Sequence, residues 1–481
     1  MRMYRKTRRP PGELERATIR AEYLREPLLE FAGGRQHVDP KTGISRFGPK
    51  SLGQDDRHPA SVRVGFIGTA QTIEATGAWF DRAADGMPGP PERPGFPGFR
   101  HDRGFRVRLE MSDRFNATLA ASEVRELLQN RKSRSRFEQA VELLDGKLAL
   151  LARKDLPPQY VVLALPDDVR AECRAVEYTD AEHGRVRRDL RRAFKAAAMQ
   201  RGLPTQLMDE DTLGADPGSH PSEVAWNIFA AMYYKLGGQP WGPTGLRPGT
   251  CYVGIGFFRP LGAGDPNVRT ALVQAFDEHG DGLILRGPDF EWDSRKQGTA
   301  SPHLTAEDAA WTIRHTMRRY EEEMGQRPAR LVVHKTSRYW EAERDGMLGA
   351  VREAGVNHDL LAVRPDDGLR LFPLNQYPPL RGTRYGVGDL DLIYTTGFEA
   401  DLQQYRSSHV PTPLRVADHV GYDTSRRDLL AELLVLSKLN WNSTRIGALL
   451  PITLTFAKRV GDVLKECRRG EQPRANFKFY M

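Results

Sequence analysis

The sequence predicts an α/β protein in which a doubly wound parallel sheet precedes a second strand-and-helix unit, with a small α/β region at the start of the chain. Two stretches carry the first expectation. Val62 to Ile67 is an apolar run closed by a Gly68-Thr69 turn and followed by a helical pattern. YVVLALPDD, residues 160–168, is a buried strand that leads to a second helical pattern from residue 187. Strand–helix alternation of this kind makes parallel sheets. A third observation carries the second unit: from Cys251 onward the order becomes strand, hairpin, helix, strand, helix.

Length and composition set bounds. The 481 residues suggest about three folding units, and 39% hydrophobic content is enough to bury their cores. No stretch approaches the ~20 apolar residues that span a bilayer. The N-terminal MRMYRKTRRPPGELER is basic but has no apolar segment, so it does not read as a secretory signal. Cys173, Cys251 and Cys467 are too widely spaced for a disulfide framework or a zinc pattern, which suits a reducing cytoplasm. The 71 Lys and Arg exceed the 63 Asp and Glu, leaving a net charge of +8. A basic balance rich in arginine suits phosphate contacts and nucleic-acid partners.

Taken in order, residues 1–24 read as a basic arm. Leu28, Leu29 and Phe31 read as a short strand, and Gly33-Gly34 and Asp39-Pro40-Lys41-Thr42-Gly43 as turns. PGPPERPGFPGFR, residues 88–100, reads as an extended loop. Residues 112–153 read as helix, with Ser122 as a cap and apolar Val124, Leu127 and Leu128. EYTDAEHGRVRRDL reads as a charged loop, and GPTGLRPGT, residues 242–250, as a linker. After the strand CYVGIGFFRP, FDEHGDGLILRG has strand–turn–strand chemistry with His279-Gly280-Asp281-Gly282 at the tip. Residues 304–325 form an amphipathic helix capped by Thr305, with Asp308 three residues on. RLVVH, HDLLAVRP, LRLFPL, GDLDLIYTTG and PTPLRVADHV are strand candidates. TSRRDLLAELLVLSKLNWNST is a helix, and PITLTFAKRVGDVL a last strand–helix pair. This order fits an RNase H-like fold.

One constellation stands out. Arg191 and Lys195 are four apart on a predicted helix and share one face. Gln206 follows the Gly202-Leu203-Pro204-Thr205 break, and Lys235 ends a second helix stopped by Gly237-Gly238. Three cations and an amide near a helix start suit a terminal phosphate. On spacing alone, Lys and Arg at helical intervals are more often a solvated face.

RRAFKAAAMQRGLPTQLM followed by KLGGQPW resembles the MID domain of the Argonaute family, in particular the short prokaryotic members built from MID and PIWI. YVGIGF, YTTGF, LSKLNWNS, PITLTFAKRVGDVL and the aromatic tail resemble PIWI. The resemblance implies a region before MID at residues 25–154, a Rossmann-like MID domain at 155–247 and an RNase H-like PIWI domain at 248–481. It implies that Arg191, Lys195, Gln206 and Lys235 hold a guide strand's 5′-phosphate. Arg191 stands where Tyr or His is commoner, which keeps charge and loses an aromatic platform for the first base. It further implies a structural Mg²⁺ shared by that phosphate and the C-terminal carboxylate of Met481, anchored by Phe477, Phe479 and Tyr480. Arg338, Lys438, Arg445 and Lys458 are candidates for the guide–target backbone.

The same resemblance bears on catalysis. RNase H-like nucleases hold two metal ions with carboxylates on adjacent strands. Gly256 and Thr336 occupy the positions where cutting Argonautes carry Asp, so no catalytic metal and no cleavage are expected; Asp277, Glu278 and Asp281 read as solvated turn residues. His315, His334 and His419 read as structural. The implied function is guide-RNA-directed recognition of single-stranded DNA from plasmids or phage. A partner would carry an APAZ region fused to a sirtuin-like or TIR effector that depletes NAD, as a heterodimer or a higher oligomer. Two other readings stay open: an active guided nuclease with displaced ligands, and a scaffold subunit with no guide of its own.

Overall fold

The computed structural model describes residues 19–54, 56–180, 184–209, 220–259, 268–373, 377–405, 407, 409–421, 424–467, 474 and 476–481. The basic arm therefore lies outside the described residues except at its end, where Ala21–Tyr23 is a strand rather than free chain.

A five-stranded sheet forms first. Its main path runs Thr205–Met208, Tyr160–Ala164, Ser61–Gly68, Arg108–Met111, all parallel, with Ala117–Thr118 beside the end of Ser61–Gly68. Tyr160–Ala164 is buried at every position, because helices cover both faces. Trp79 and Phe80 of the helix Ala70–Ala84 pack on Val62, Val64 and Phe66 on one face. Phe137, Leu144 and Phe194, from the helices Ser133–Ala152 and Leu190–Gln200, pack with Ile67, Val161 and Leu163 on the other. The sheet takes strands from both sides of residue 155, so the stretches 25–154 and 155–247 share one core.

The second sheet has nine strands. Its centre is Thr250–Phe258, parallel to Arg330–Lys335, which is parallel to Asn357–Pro365. The antiparallel strands Val268–Phe276 and Gly282–Glu291 extend one side. Leu414–Val420, Leu390–Ile393, Thr383–Val387 and finally Ala21–Tyr23 extend the other. Alternation divides the faces: Cys251, Val253 and Ile255 meet the helices Ala306–Met324 and Glu341–Ala354, while Tyr252 faces Phe456 of the helix Ile452–Leu464. Thr305 caps the long helix by accepting from Asp308 N at 3.1 Å.

Several local expectations are corrected. Asp39-Pro40 starts the helix Pro40–Phe47 and is not a turn: Asp39 accepts from Lys41 N and Thr42 N, and proline is tolerated where no amide donor is needed. Residues 112–153 hold two helices, Ala121–Gln129 and Ser133–Ala152. Ala120, not Ser122, is the first cap, and Glu123 accepts its amide at 2.7 Å. The charged stretch expected as loop is the hairpin Ala175–Asp180 and Gly184–Asp189, whose Val176 and Val186 are buried. Within the linker, Gly242–Pro243 pairs with Leu29–Glu30. LRLFPL forms no strand at 369–373, and Leu374 lies outside the described residues. PITLTFAKRVGDVL is one helix, Ile452–Leu464, with Pro451 as its cap.

Candidate nucleic-acid interface

The helix Leu190–Gln200 builds the first wall of a cavity of about 830 Å³. Asp189 caps it by accepting from Arg192 N at 3.1 Å. Ala196, Ala197 and Ala198 favour the helix, and Leu190, Ala193, Phe194 and Met199 bury its core face. Gly202, at φ 73°, ends it in a left-handed turn that suits glycine. The chain then enters the strand Thr205–Met208, parallel to Tyr160–Ala164, which sets Gln206 at the cavity wall. The helix Pro221–Lys235 presents Val224, Asn227, Ile228 and Ala231 to the cavity, one face at helical spacing.

Arg191 and Lys195 both line this cavity. Arg191 is exposed, whereas Lys195 is 4% exposed. The Lys195 ammonium donates to the main-chain oxygen of Met481. Lys235, 1% exposed, stands behind Gln206, donating to the Thr205 carbonyl at 2.8 Å and to Gln206 Oε1 at 3.3 Å, above the Tyr160 ring. The Gln206 amide donates to the Leu207 carbonyl, so in this arrangement its donor faces its own strand.

The last residues close the cavity. Phe477 is buried and stacks on Phe456 with ring centroids 3.6 Å apart. Phe479, Tyr480 and Met481 are buried too, and the Tyr480 hydroxyl donates to the Arg474 carbonyl at 2.8 Å.

One residue that the sequence did not single out joins the set. Arg459, on the helix Ile452–Leu464, lines the cavity from the nine-stranded half. Its neighbour Lys458, the sequence candidate, is exposed. The buried positions Phe456, Val460 and Val463 recur at helical spacing and turn residue 459 towards them. Reading PITLTF as strand loses that phase.

The electrostatics are one-sided. Burial, then Lys235, Arg191 and Arg459, push the Lys195 ammonium well below its usual range. Burial and then Arg191 bring Lys235 down to about 7. Burial and Arg191 also lower Arg459. The cavity's carboxylates are already engaged: Asp189 at the helix cap, Asp209 with Arg170, and Asp462 with Arg192 and Lys465. Among the described residues, Arg191, Lys195, Lys235 and Arg459 have no Asp or Glu partner. Desolvated cations with no Asp or Glu partner are costly, and an incoming anion relieves that cost.

The backbone candidates divide. Arg338, Arg445 and Lys458 are exposed. Lys438 is corrected: it is 1% exposed, pairs with Glu26 at 2.8 Å and donates to the carbonyls of Pro27 and Val38. It ties the start of the chain to the core and cannot reach a phosphate.

Gly254 pairs with His334 across adjacent parallel strands; two residues on, Gly256 lies within Thr250–Phe258 opposite Leu272, and Thr336 lies just past Arg330–Lys335. A Cβ on Gly254 would meet the Thr453 carbonyl oxygen at 2.3 Å, and one on Gly256 would meet Ala457 Cβ at 3.2 Å. These glycines admit the helix Ile452–Leu464 close to the strand. The hairpin acids are not simply solvated, contrary to expectation. Asp277 is 4% exposed and accepts from His279 N and Asp281 N, and burial and Asp281 raise it to about 6. Glu278 accepts from Gly249 N, and Asp281 pairs with Arg57. His334 bonds Thr453 and His419 bonds Asp359 inside the fold, while His315 meets Arg318 on the surface. Among the described residues no three His, Cys, Asp or Glu side chains form a metal-binding group, and no helix is long and apolar enough to cross a membrane.

The architecture is a MID–PIWI arrangement with an RNase H-like second half. Three solved structures share it. Clostridium butyricum Argonaute bound to a guide DNA (5′ deoxycytidine) and a 19-mer target DNA matches with TM-score 0.66 and 15% identity, over 95% of this chain and 55% of that one. Aa-Ago with externally bound siRNA matches with TM-score 0.60 and 15% identity, over 96% and 56%. A. aeolicus Argonaute matches with TM-score 0.57 and 15% identity, over 94% and 54%. The chain spans about half the length of these proteins. By sequence, no family model and no curated protein matches.

Proposed function

We propose that this chain holds the 5′-phosphorylated end of a short guide strand in the cavity and uses the guide to recognise complementary nucleic acid without cutting it. The observation that carries this reading is the meeting of Arg191, Lys195 and Arg459 around one cavity, with Lys235 just behind its Gln206 wall, and no Asp or Glu partner for any of the four among the described residues. A terminal phosphate carries up to two negative charges and several acceptor oxygens, which suits such a set. The likeness in fold to Argonautes solved with guide, target or siRNA adds support. Exposed Arg338, Arg445 and Lys458 are candidates to follow the duplex backbone, leaving sequence to base pairing.

The reading extends to a small guide RNA, a single-stranded DNA target and a cytoplasmic defence role against plasmids and phage. A separate APAZ-fused effector, sirtuin-like or TIR, would deplete NAD after target recognition. Gly256 and Thr336, each two residues beyond the Gly254–His334 pair on adjacent strands, carry no carboxylate and support recognition without cleavage. Nucleic acid co-purified with the chain tests the reading. A uniform population of short 5′-phosphorylated RNAs is expected. Failure to co-purify such strands, together with equal affinity for 5′-phosphate and 5′-hydroxyl oligonucleotides, would overturn it in favour of a scaffold without a guide.

A further inference from the structure

The resemblance to Argonautes places a magnesium ion between the guide phosphate and Met481, but the oxygen donors of this cavity do not suit one. Magnesium needs near-octahedral oxygen ligands, commonly carboxylates and phosphate. Here the described main-chain oxygen of Met481 accepts the Lys195 ammonium, so a carboxylate at Met481 would already be matched by a cation, and Gln206 Oε1 accepts Lys235. Asp209 and Asp462 are held by arginines. A divalent ion at Met481 would enter beside the Lys195 ammonium and the three further cations that act on it.

We propose that the cavity neutralises a terminal phosphate with its own side chains and needs no divalent ion, Arg459 supplying the charge that a metal would otherwise bring. This rests on the phosphate reading above and deepens it. Two features of the geometry support it. Arg459 reaches the cavity from the helix Ile452–Leu464, opposite Arg191 of the helix Leu190–Gln200, so one phosphate can bridge both halves of the chain. Arg459 is also braced, with Nη1 donating to Asn440 Oδ1 at 3.4 Å and the guanidinium over the Phe456 ring. A braced guanidinium loses little freedom on binding and offers a fork matched to phosphate oxygens.

The test is fluorescence anisotropy with an RNA oligonucleotide labelled at its 3′ end, with a 5′-phosphate or a 5′-hydroxyl, in buffer containing either EDTA or Mg²⁺. The expected result is a 5′-phosphate preference of about tenfold or more in EDTA, changing by less than about twofold when Mg²⁺ is added. Arg459→Gln should reduce that preference about tenfold in both buffers, and Arg459→Lys should restore part of it. A preference that appears only with Mg²⁺ overturns this inference and leaves phosphate binding standing. No preference in either buffer overturns the phosphate reading itself. The metal comparison uses the unaltered protein, so the outcome holds even where an Arg459 variant fails to fold.

Discussion

The Lys195 ammonium donates to the main-chain oxygen of Met481, 286 residues further along the chain. One bond thus joins the inward face of a helix in the first half to the buried end of the described chain. It holds a cation that burial and like charges have made expensive. Replacing Lys195 by Met keeps the aliphatic stem and removes the charge. Binding of a 5′-phosphorylated strand should weaken about tenfold or more, since a charged hydrogen bond in a shielded site is worth about 1.5–3 kcal/mol. Binding of the 5′-hydroxyl strand should stay nearly unchanged in the same titration. Equal losses for both strands would count against a phosphate contact.

Lys235 sets a pH dependence with a definite sign. Its ammonium falls from an ordinary 10.5 to about 7 through burial and Arg191. Between those values the unfolded chain binds more protons than the folded one, so Lys235 makes stability rise with pH, and the gain is complete above the upper value. Lys195, shifted the same way, adds to the slope. Thermal melts of wild type and Lys235→Met across that range should differ in slope. A bound phosphate dianion restores the charge, so affinity should fall as pH rises from about 7 to about 9, where the phosphate itself is already fully ionised above its second pKa of about 6. Tyr160 and the Thr205 carbonyl also face this ammonium, and neither supplies a negative charge in that interval. A shallower profile from a Lys235→Met variant than from wild type, with the remaining slope left by Lys195, would identify the group.

The purified chain should hydrolyse neither DNA nor NAD. Incubation with a guide, a labelled complementary strand and Mn²⁺ should leave the target whole. Metal-dependent cutting that disappears on Asp277→Asn or Asp281→Asn would show that a displaced carboxylate site operates. Gly256→Asp alone should not create activity. Its Cβ would press on Ala457, at 3.2 Å, so the variant should be less stable than wild type in a thermal melt.

Lys438 and Lys458 should separate structure from binding. Lys438→Met leaves the buried Glu26 carboxylate short of one partner and should cost about 3–5 kcal/mol in denaturant unfolding. Lys458→Ala, at an exposed position, should change stability by no more than about 0.5 kcal/mol. If Lys458 touches the duplex, its loss should lower the salt dependence of binding by about one ion.

Much of this fold is legible in the sequence, and the misses have physical causes. Asp39-Pro40 reads as a turn because both residues favour turns, yet the same pair starts a helix when the downstream amides need a cap. The hairpin 175–189 hides its Val176 and Val186 alternation beneath a run of charges that pair across it, Glu177 with Arg185 and Arg187. Ile452, Thr453 and Thr455 look like strand because they are β-branched. Packing of their helix against Gly254 overrides that weak preference.

What the sequence determined by itself was local: the four-residue step from Arg191 to Lys195, the glycine stop after Lys235, the periodicity of the long helices, and the alternation of strand and helix. Each is set by the chain's own geometry within a few turns. Only the tertiary structure decided which cations lose their water. Lys195 meets Met481, Lys438 meets Glu26 and Arg459 turns inward, because burial depends on segments hundreds of residues apart coming together. The cost of desolvating a charge, which separates Lys438 paired with Glu26 from Lys195 at a cavity wall, exists only once those segments have met.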